Sequence, residues 1–317
     1  MQPPTFSRKV LVTGGAGFIG SHVADGLLAK GYEVHILDNL TSGTIDNVPE
    51  GTVFHELDLR DPAIEALFES EKFEAVIHHA AQLDVRRSVS DPVFDADVNV
   101  SGFLRLMEAG RKNGLQRVVF ASTGGAIYGE SDTIPQDETN LLQPESPYGI
   151  TKLATEKYLY FYERVHGISS VILRYANVYG PRQGAYGEAG VIAIFIKKLL
   201  AGEGPVIFGD GLQTRDYVYV GDVVNANLLA LQAGKGGVYN IGTGVETDVV
   251  TLLNKLKQLL GIHLPAVHAD ARPGEVTRSA LSYKRIEDAL GWVPAVSLHE
   301  GLKSTVDWFN SRASDPL

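Results

Sequence analysis

Five residues, KVLVT at Lys9–Thr13, followed at once by a glycine-rich turn, TGGAGFIG at Thr13–Gly20, constrain this chain's fold more than any other stretch. The apolar run reads as a strand, and Gly14, Gly17 and Gly20 then fall at GxxGxxG spacing as a helical pattern opens, running through Leu28 to a stop at Gly31. Each glycine has its own mechanical reason: a tight strand-to-helix turn, close approach of backbone to a pyrophosphate, and close packing of helix on strand. The helix N-terminus adds unsatisfied N–H donors and positive potential. A glycine triplet alone is common, but one lodged between a strand and a helix is a dinucleotide-binding turn. Asp38 ends the next strand-like run, EVHIL at 33–37. It lies about 20 residues past the glycines, where a carboxylate can hydrogen-bond a ribose 2′-OH and would repel a 2′-phosphate, so NAD is favoured over NADP.

The rhythm continues through the first half. Thr52–Leu57, Ala75–His78 and Arg117–Ala121 read as further strands, with helices at Pro62–Glu69 and Val93–Lys112 between them. Strand–helix alternation predicts βαβ units, right-handed crossovers and helices on both faces. The expected class is α/β: a Rossmann-type doubly wound parallel sheet over residues 1–175, with a smaller C-terminal substrate-binding lobe over most of 176–317. Segments near 210–240 are expected to return to the first layer. A long helix is expected over Pro147–His166. Ile150, Leu153, Ala154, Phe161 and Val165 keep helical spacing, and Tyr158, Leu159, Tyr160 and Tyr162 widen its apolar surface. Such a helix is buried on more than one side, either against a partner subunit or beneath the chain's own second half. Residues 311–317 read as a frayed end.

Composition narrows the function classes. At 317 residues the chain can bury a core without staples. It contains no cysteine, which removes disulfides, thiolate nucleophiles and cysteine metal sites together. A formal net charge of -10 argues against nucleic acid and membrane surfaces as partners. No apolar run is long enough for a signal peptide or a membrane span, so a cytoplasmic location is expected. His78 and His79 are adjacent on a strand and so point to opposite faces. No further ligand stands at metal spacing, and no metal is expected.

The chemistry is carried by Tyr148 and Lys152, four apart at the start of the long helix and therefore on one face. An ammonium beside a phenol favours the phenolate, which suits the tyrosine to take a proton from a sugar hydroxyl. The lysine can also hold the nicotinamide ribose. Chance matches to YxxxK are frequent, and its weight comes from following the fifth strand. Ser122 and Thr123, directly after that strand, offer a hydroxyl to bridge substrate and Tyr148, unless they merely cap a turn.

These residues resemble the extended short-chain dehydrogenases/reductases and, within them, the UDP-glucose (UDP-galactose) 4-epimerases. The likeness runs from about Lys9 to Phe309. It rests on TGGAGFIG, DNL at Asp38–Leu40, Asp58-Leu59, HAAQ at His79–Gln82, Asn99, YG at Tyr128, SPYGITK at Ser146–Lys152, LRYANVYGPRQ at Leu173–Gln183, TRDYVYVGD at Thr214–Asp222 and RPGE at Arg272–Glu275. The resemblance implies bound NAD, a UDP-sugar substrate and a homodimer paired through helices near 100–112 and 147–165. It implies Phe18 and Ile19 at the pyrophosphate, and Asp38, Asn39, Leu40, Thr41, Ser42 and Gly43 around the adenosine ribose. Asp58 and Leu59 would meet the adenine. His79, Ala80, Ala81, Gln82, Leu83 and Tyr175 would border the nicotinamide half, with Asn99 near both ligands. Tyr148 would be the general base and acid, Lys152 its partner. Asn177, Arg215 and Arg272 would bind the UDP-sugar, with Glu275 on the uridine ribose.

The sequence departs from the family in two places. Gly124 and Gly125 lengthen the loop after the fifth strand, and counting the extra glycine as an insertion favours Thr123 over Ser122 as the catalytic hydroxyl. Ser279 fills a position that gates sugar size, which leaves room for an N-acetyl group. Two rivals to C4 epimerisation are a nucleotide-sugar 4,6-dehydratase or UDP-glucuronate decarboxylase, and a silent NAD-binding sensor. A dehydratase carries an Asp-Glu pair where Gly124 and Gly125 stand, and a sensor need not keep Tyr148, Lys152 and a hydroxyl.

Overall fold

A computed structural model describes residues 8–184, 190–271 and 276–312. In chain order the first part runs β1 (Lys9–Thr13), α1 (Phe18–Ala29), β2 (Glu33–Asp38), β3 (Val53–Glu56), α2 (Ala63–Glu71), β4 (Ala75–His78), α3 (Val85–Ser90), α4 (Pro92–Ala96), α5 (Phe103–Lys112), β5 (Arg117–Thr123), α6 (Pro147–His166) and β6 (Ser169–Tyr175). There follow β7 (Asn177–Tyr179), α7 (Val191–Leu200), β8 (Val206–Phe208), β9 (Thr214–Tyr219), α8 (Val220–Gln232), β10 (Gly237–Ile241), β11 (Glu246–Asp248), α9 (Val249–Leu260), β12 (Val267–Ala269), α10 (Lys284–Leu290) and α11 (Leu298–Ser311).

Seven strands form one parallel sheet in the order β10-β6-β5-β4-β1-β2-β3. This is the doubly wound Rossmann-type order with one strand added at the β6 edge. Period-two alternation divides the sheet's side chains between two cores. Val10, Val12, Ile36, Ile77 and Val171 pack on one face with α1 and α8. Leu11, Leu37, Val76, Phe120 and Ile172 pack on the other with α2, α5 and α6. A third core gathers α7, α9, α11 and β9 around Phe195, Leu252 and Leu302, beside a three-stranded sheet ordered β11-β9-β7. Among the described residues no helix is long and apolar enough to cross a membrane.

Two expectations need correction. The single helix read over Val93–Lys112 is two helices, α4 and α5, joined by a π turn at Asp97–Gly102. The residues there have ordinary helical periodicity, but contacts of Asn99 hold the wider turn. In α6 the sheet-facing side is largely polar: Thr151, Lys152, Thr155 and Glu156 are buried along with Leu159 and Tyr162. The apolar stripe of Ile150, Tyr158, Phe161 and Val165 faces outward and is exposed, so the chain's own second half does not cover it.

Candidate active site

The site lies past the C-terminal ends of the parallel strands, where an open α/β sheet presents its loops. The chain leaves β1 through Gly14 at φ +69°. A Cβ there would stand 2.6 Å from the Ala80 nitrogen, and one on Gly20 would stand 2.2 Å from the Gly14 carbonyl, so neither position accepts a side chain. A Cβ on Gly17 would meet only that same carbonyl, at 3.2 Å, which leaves its other side open. Gly17 starts α1 without any side chain capping the first N–H groups, whereas Ser146, Asp248 and Ser297 cap α6, α9 and α11. Uncapped donors beside a side-chain-free backbone suit a diphosphate. Phe18 and Ile19 form the first turn, Phe18 edge-on to His22 and Ile19 against the core.

Asp38 is buried, and its carboxylate accepts from the Ala16 N–H (3.0 Å) and the Leu40 N–H (2.9 Å). Burial pushes its pKa up, and these backbone donors pull it back. The aspartate therefore shapes the glycine turn. Leu40 sits at φ +56°. Gly43 packs so closely on Ala16 that a Cβ would meet its carbonyl carbon at 2.8 Å. The Thr41 N–H donates to the Asn39 side chain, and Thr41 and Ser42 lie exposed on the outside of this loop. Asn39 also donates to Asp58 (2.7 Å). Arg60, which sequence reasoning missed, grips both Asp58 oxygens at 2.8 and 2.9 Å and holds that carboxyl well below the usual range. Leu59 is buried in the core beneath α2 and α5.

The two histidines do face opposite ways. His78 bonds Thr13 (2.7 Å) and packs beside Phe103 and Phe120. His79 stacks on Tyr175 and bonds its hydroxyl (3.1 Å), which also accepts from Asn227 (2.8 Å). Burial, aided by Lys152, lowers the His79 pKa to about 3, so the ring is neutral. Ala80 and Ala81 carry the chain from there to Gln82, whose N–H donates to Asn99 Oδ1 (2.8 Å). Asn99 in turn donates to the Gln82 carbonyl, Asp95 and Thr151 at 2.9, 3.1 and 3.3 Å. Asp95 is fully buried and also accepts from Thr151 (2.8 Å) and Gln82 (3.0 Å). No local pattern marks Asp95, and its partners come to it from the loop after β4, the π turn and α6. Leu83, next in the chain, is exposed.

Lys152 is buried, and its Nζ donates to the Ala121 carbonyl (2.8 Å). It lies 4.9 Å from the Phe120 ring centroid and 5.8 Å from that of Tyr148. Burial brings its pKa down to about 8, with the Asp95 and Glu156 carboxylates opposing. Ser122 and Thr123 part company at the end of β5. Ser122 is buried and donates to Glu156 (2.6 Å), while Thr123 is half-buried at the strand terminus. Gly149, between Tyr148 and Lys152, meets the loop after Thr123 so tightly that a Cβ would stand 2.3 Å from the Ala126 oxygen.

Asn177 opens β7 with its side chain exposed, and it pairs in register with Tyr217 of β9. Arg215, two residues earlier on β9, donates to the Thr214 carbonyl (2.8 Å). The buried Ser279 donates its N–H to that same carbonyl (3.3 Å), so these two predicted residues share one acceptor. Arg272 and Glu275 lie outside the described residues. Leu281, a few residues on, is tied to buried Asp216 through its N–H (3.1 Å) and covers Gly124. Among the described residues no three histidine, aspartate or glutamate side chains stand together as metal ligands.

Comparison with known proteins gives concordant likenesses. The model of the NAD dependent epimerase/dehydratase family matches residues 10–242. The UDP-glucose 4-epimerase of Mycolicibacterium smegmatis is 43% identical, over 96% of this chain and 99% of that protein. The crystal structure of Thermotoga maritima UDP-glucose 4-epimerase with UDP-glucose superposes with TM-score 0.93 at 49% identity, covering 96% of this chain and 99% of that one. The UDP-N-acetylglucosamine 4-epimerase of Methanobrevibacter ruminantium, in complex with UDP-N-acetylmuramic acid, superposes with TM-score 0.91 at 34% identity, covering 98% and 100%.

Proposed function

This chain belongs to the NAD dependent epimerase/dehydratase family, and on that premise we propose that it inverts C4 of a UDP-hexose, interconverting UDP-galactose and UDP-glucose through a 4-keto sugar. The carrying observation is the buried ammonium of Lys152 against the Ala121 carbonyl, one helical turn from Tyr148. Burying an ammonium costs several kcal/mol, and it has use where its field favours a phenolate on the neighbouring ring. When bound, NAD would supply the hydride acceptor, and as NADH the hydride donor, for C4.

The protein's own groups do the rest. The uncapped start of α1 and the open side of Gly17 hold the diphosphate of the cofactor, and Asp38 takes the ribose hydroxyl. Tyr148 as phenolate removes the proton of the sugar 4-OH, and as phenol gives it back after the keto sugar has turned. Thr123, half-buried at the end of β5, bridges the sugar oxygen and Tyr148. Asn177 and Arg215 anchor the UDP, so the sugar turns without leaving. A dehydratase needs an acid after Thr123 to expel water. Glycine stands at both 124 and 125, so the chain supplies no acid there, and at 124 a Cβ would have to displace Leu281, whose Cδ1 would be 2.2 Å away. The small, buried Ser279 beside the Arg215 carbonyl contact supports N-acetylhexosamine substrates as a second reading. A second copy of the chain covers the exposed stripe of α6, making a homodimer.

Incubating the purified protein with UDP-galactose, and separately with its N-acetyl analogue, without added cofactor, tests the assignment. Product at the C4 epimer is expected, and Tyr148→Phe should lower turnover by about 10²–10⁴ while bound NAD is kept. Product lacking the C6 oxygen, or a Tyr148→Phe enzyme of undiminished rate, would reject it.

A further inference from the structure

We propose that Ser122, Glu156 and Arg174 form a positioning clamp that sets the separation between the Thr123 hydroxyl and the Tyr148 phenol, with none of the three touching the reacting atoms; this rests on the epimerase reading above. Committing Ser122 to α6 fixes the last turn of backbone at the end of β5, on which Thr123 is the next residue. The Ser122 hydroxyl donates to Glu156 Oε1 at 2.6 Å. Glu156 follows Lys152 by four residues and Tyr148 by eight, so all three lie along one helix face. Arg174, the register partner of Ser122 on β6, donates Nε to Oε1 (3.0 Å) and Nη2 to Oε2 (2.7 Å). Its Nη1 donates to the Tyr128 hydroxyl (2.9 Å), which donates to Asn240 of β10 (2.7 Å). The helix that carries base and ammonium is thereby pinned to three neighbouring strands and to the loop leaving β5.

Every member of this network is buried, at 5% exposure or less. A bidentate pair with a third short donor fixes direction as well as distance. An apolar contact at the same place would give equal or greater stability and would let the helix slide. The Ser122 bond sits between the Ala121 carbonyl that holds Lys152 and the Thr123 hydroxyl, where a slide of a fraction of an ångström alters both. With its one proton committed to Glu156, the buried Ser122 has no donor to offer the sugar oxygen, which favours Thr123 for that role.

Ser122→Ala in the NAD-loaded full-length enzyme removes one hydroxyl from the clamp. The expected result is kcat for UDP-galactose lowered about tenfold or more, KM within about twofold, bound NAD retained, and a crystal structure in which the Thr123–Tyr148 oxygen separation differs from wild type. Ser122→Thr should restore most of kcat. The double variant Glu156→Leu/Arg174→Met leaves no orphaned charge, so a folded protein with the same loss of kcat is expected. Wild-type kcat in Ser122→Ala or in the folded double variant would overturn the clamp, as would parallel losses of kcat, KM and NAD that mark general disruption. A wild-type enzyme inert toward both sugars would defeat the epimerase reading instead, and the Ser122→Ala oxygen separation would still decide the clamp.

Discussion

Gly149→Ala separates two physical effects that pull in opposite directions. By helix propensity alone the substitution stabilises, by at most about 1 kcal/mol. Sterically it does not fit: the new Cβ would stand 2.3 Å from the Ala126 oxygen and 2.9 Å from Pro144 Cβ, where ordinary contact begins at 3.4 Å. One side must retreat by about 1 Å, at an overpacking cost of about 1–3 kcal/mol. The obstacle is backbone, so the first turn of α6 or the loop after Thr123 has to move. Tyr148 rides on the first and Thr123 borders the second. A misplacement of about 1 Å at reacting groups costs about 10² in rate. Gly149→Ala is therefore expected to lower kcat about a hundredfold, to change thermal stability by no more than about 2 kcal/mol, and to keep NAD bound. Steady-state kinetics with UDP-galactose and a calorimetric melt measure both. A variant that melts higher than wild type and turns over at the wild-type rate would refute the steric reasoning.

The charged form of Lys152 persists only below its lowered pKa of about 8, so kcat should fall as pH rises through that value, and Lys152→Met should be slow with no such alkaline limb; a flat kcat up to pH ~10 would count against this. Asp38→Ala orphans the Ala16 and Leu40 N–H groups, at about 1–3 kcal/mol for each donor left unsatisfied, and should let NAD escape on dialysis where the parent retains it. Phe161→Glu places a charge on the exposed α6 stripe and should yield monomers by light scattering with the fold intact by circular dichroism; an unchanged mass would place the second copy elsewhere.

The parallel sheet could be read from the sequence because its signals are local: apolar runs of a few residues, glycines at fixed offsets, helical spacing between them. The tight glycine turn was legible for the same reason, since Gly14, Gly17, Gly20 and Asp38 lie on the first βαβ unit. Periodicity marked the apolar stripe of α6 but could not say which side faced the sheet, and the polar side went in. The π turn was invisible because Asp97–Gly102 fits a regular helix as well as a wide one; Asn99 holds it open through Gln82 and Thr151, 17 and 52 residues away. Asp95, Glu156 and Arg174 carry no motif of their own, and their partners are set by tertiary packing. Ser122 and Thr123 could be ranked only by comparison with the family, and the Glu156 bond now gives a physical ground for the same order.

Strand β10 is laid beside β6 only after the chain has gone out through β7, α7, β8 and β9, and Trp292, later still, plugs the same core as Val10 and Ile36. The second half of the chain is thus sewn into the sheet and is no separable cassette. A protein cut after Tyr175 would lose an edge strand and bare the α1 face of the sheet.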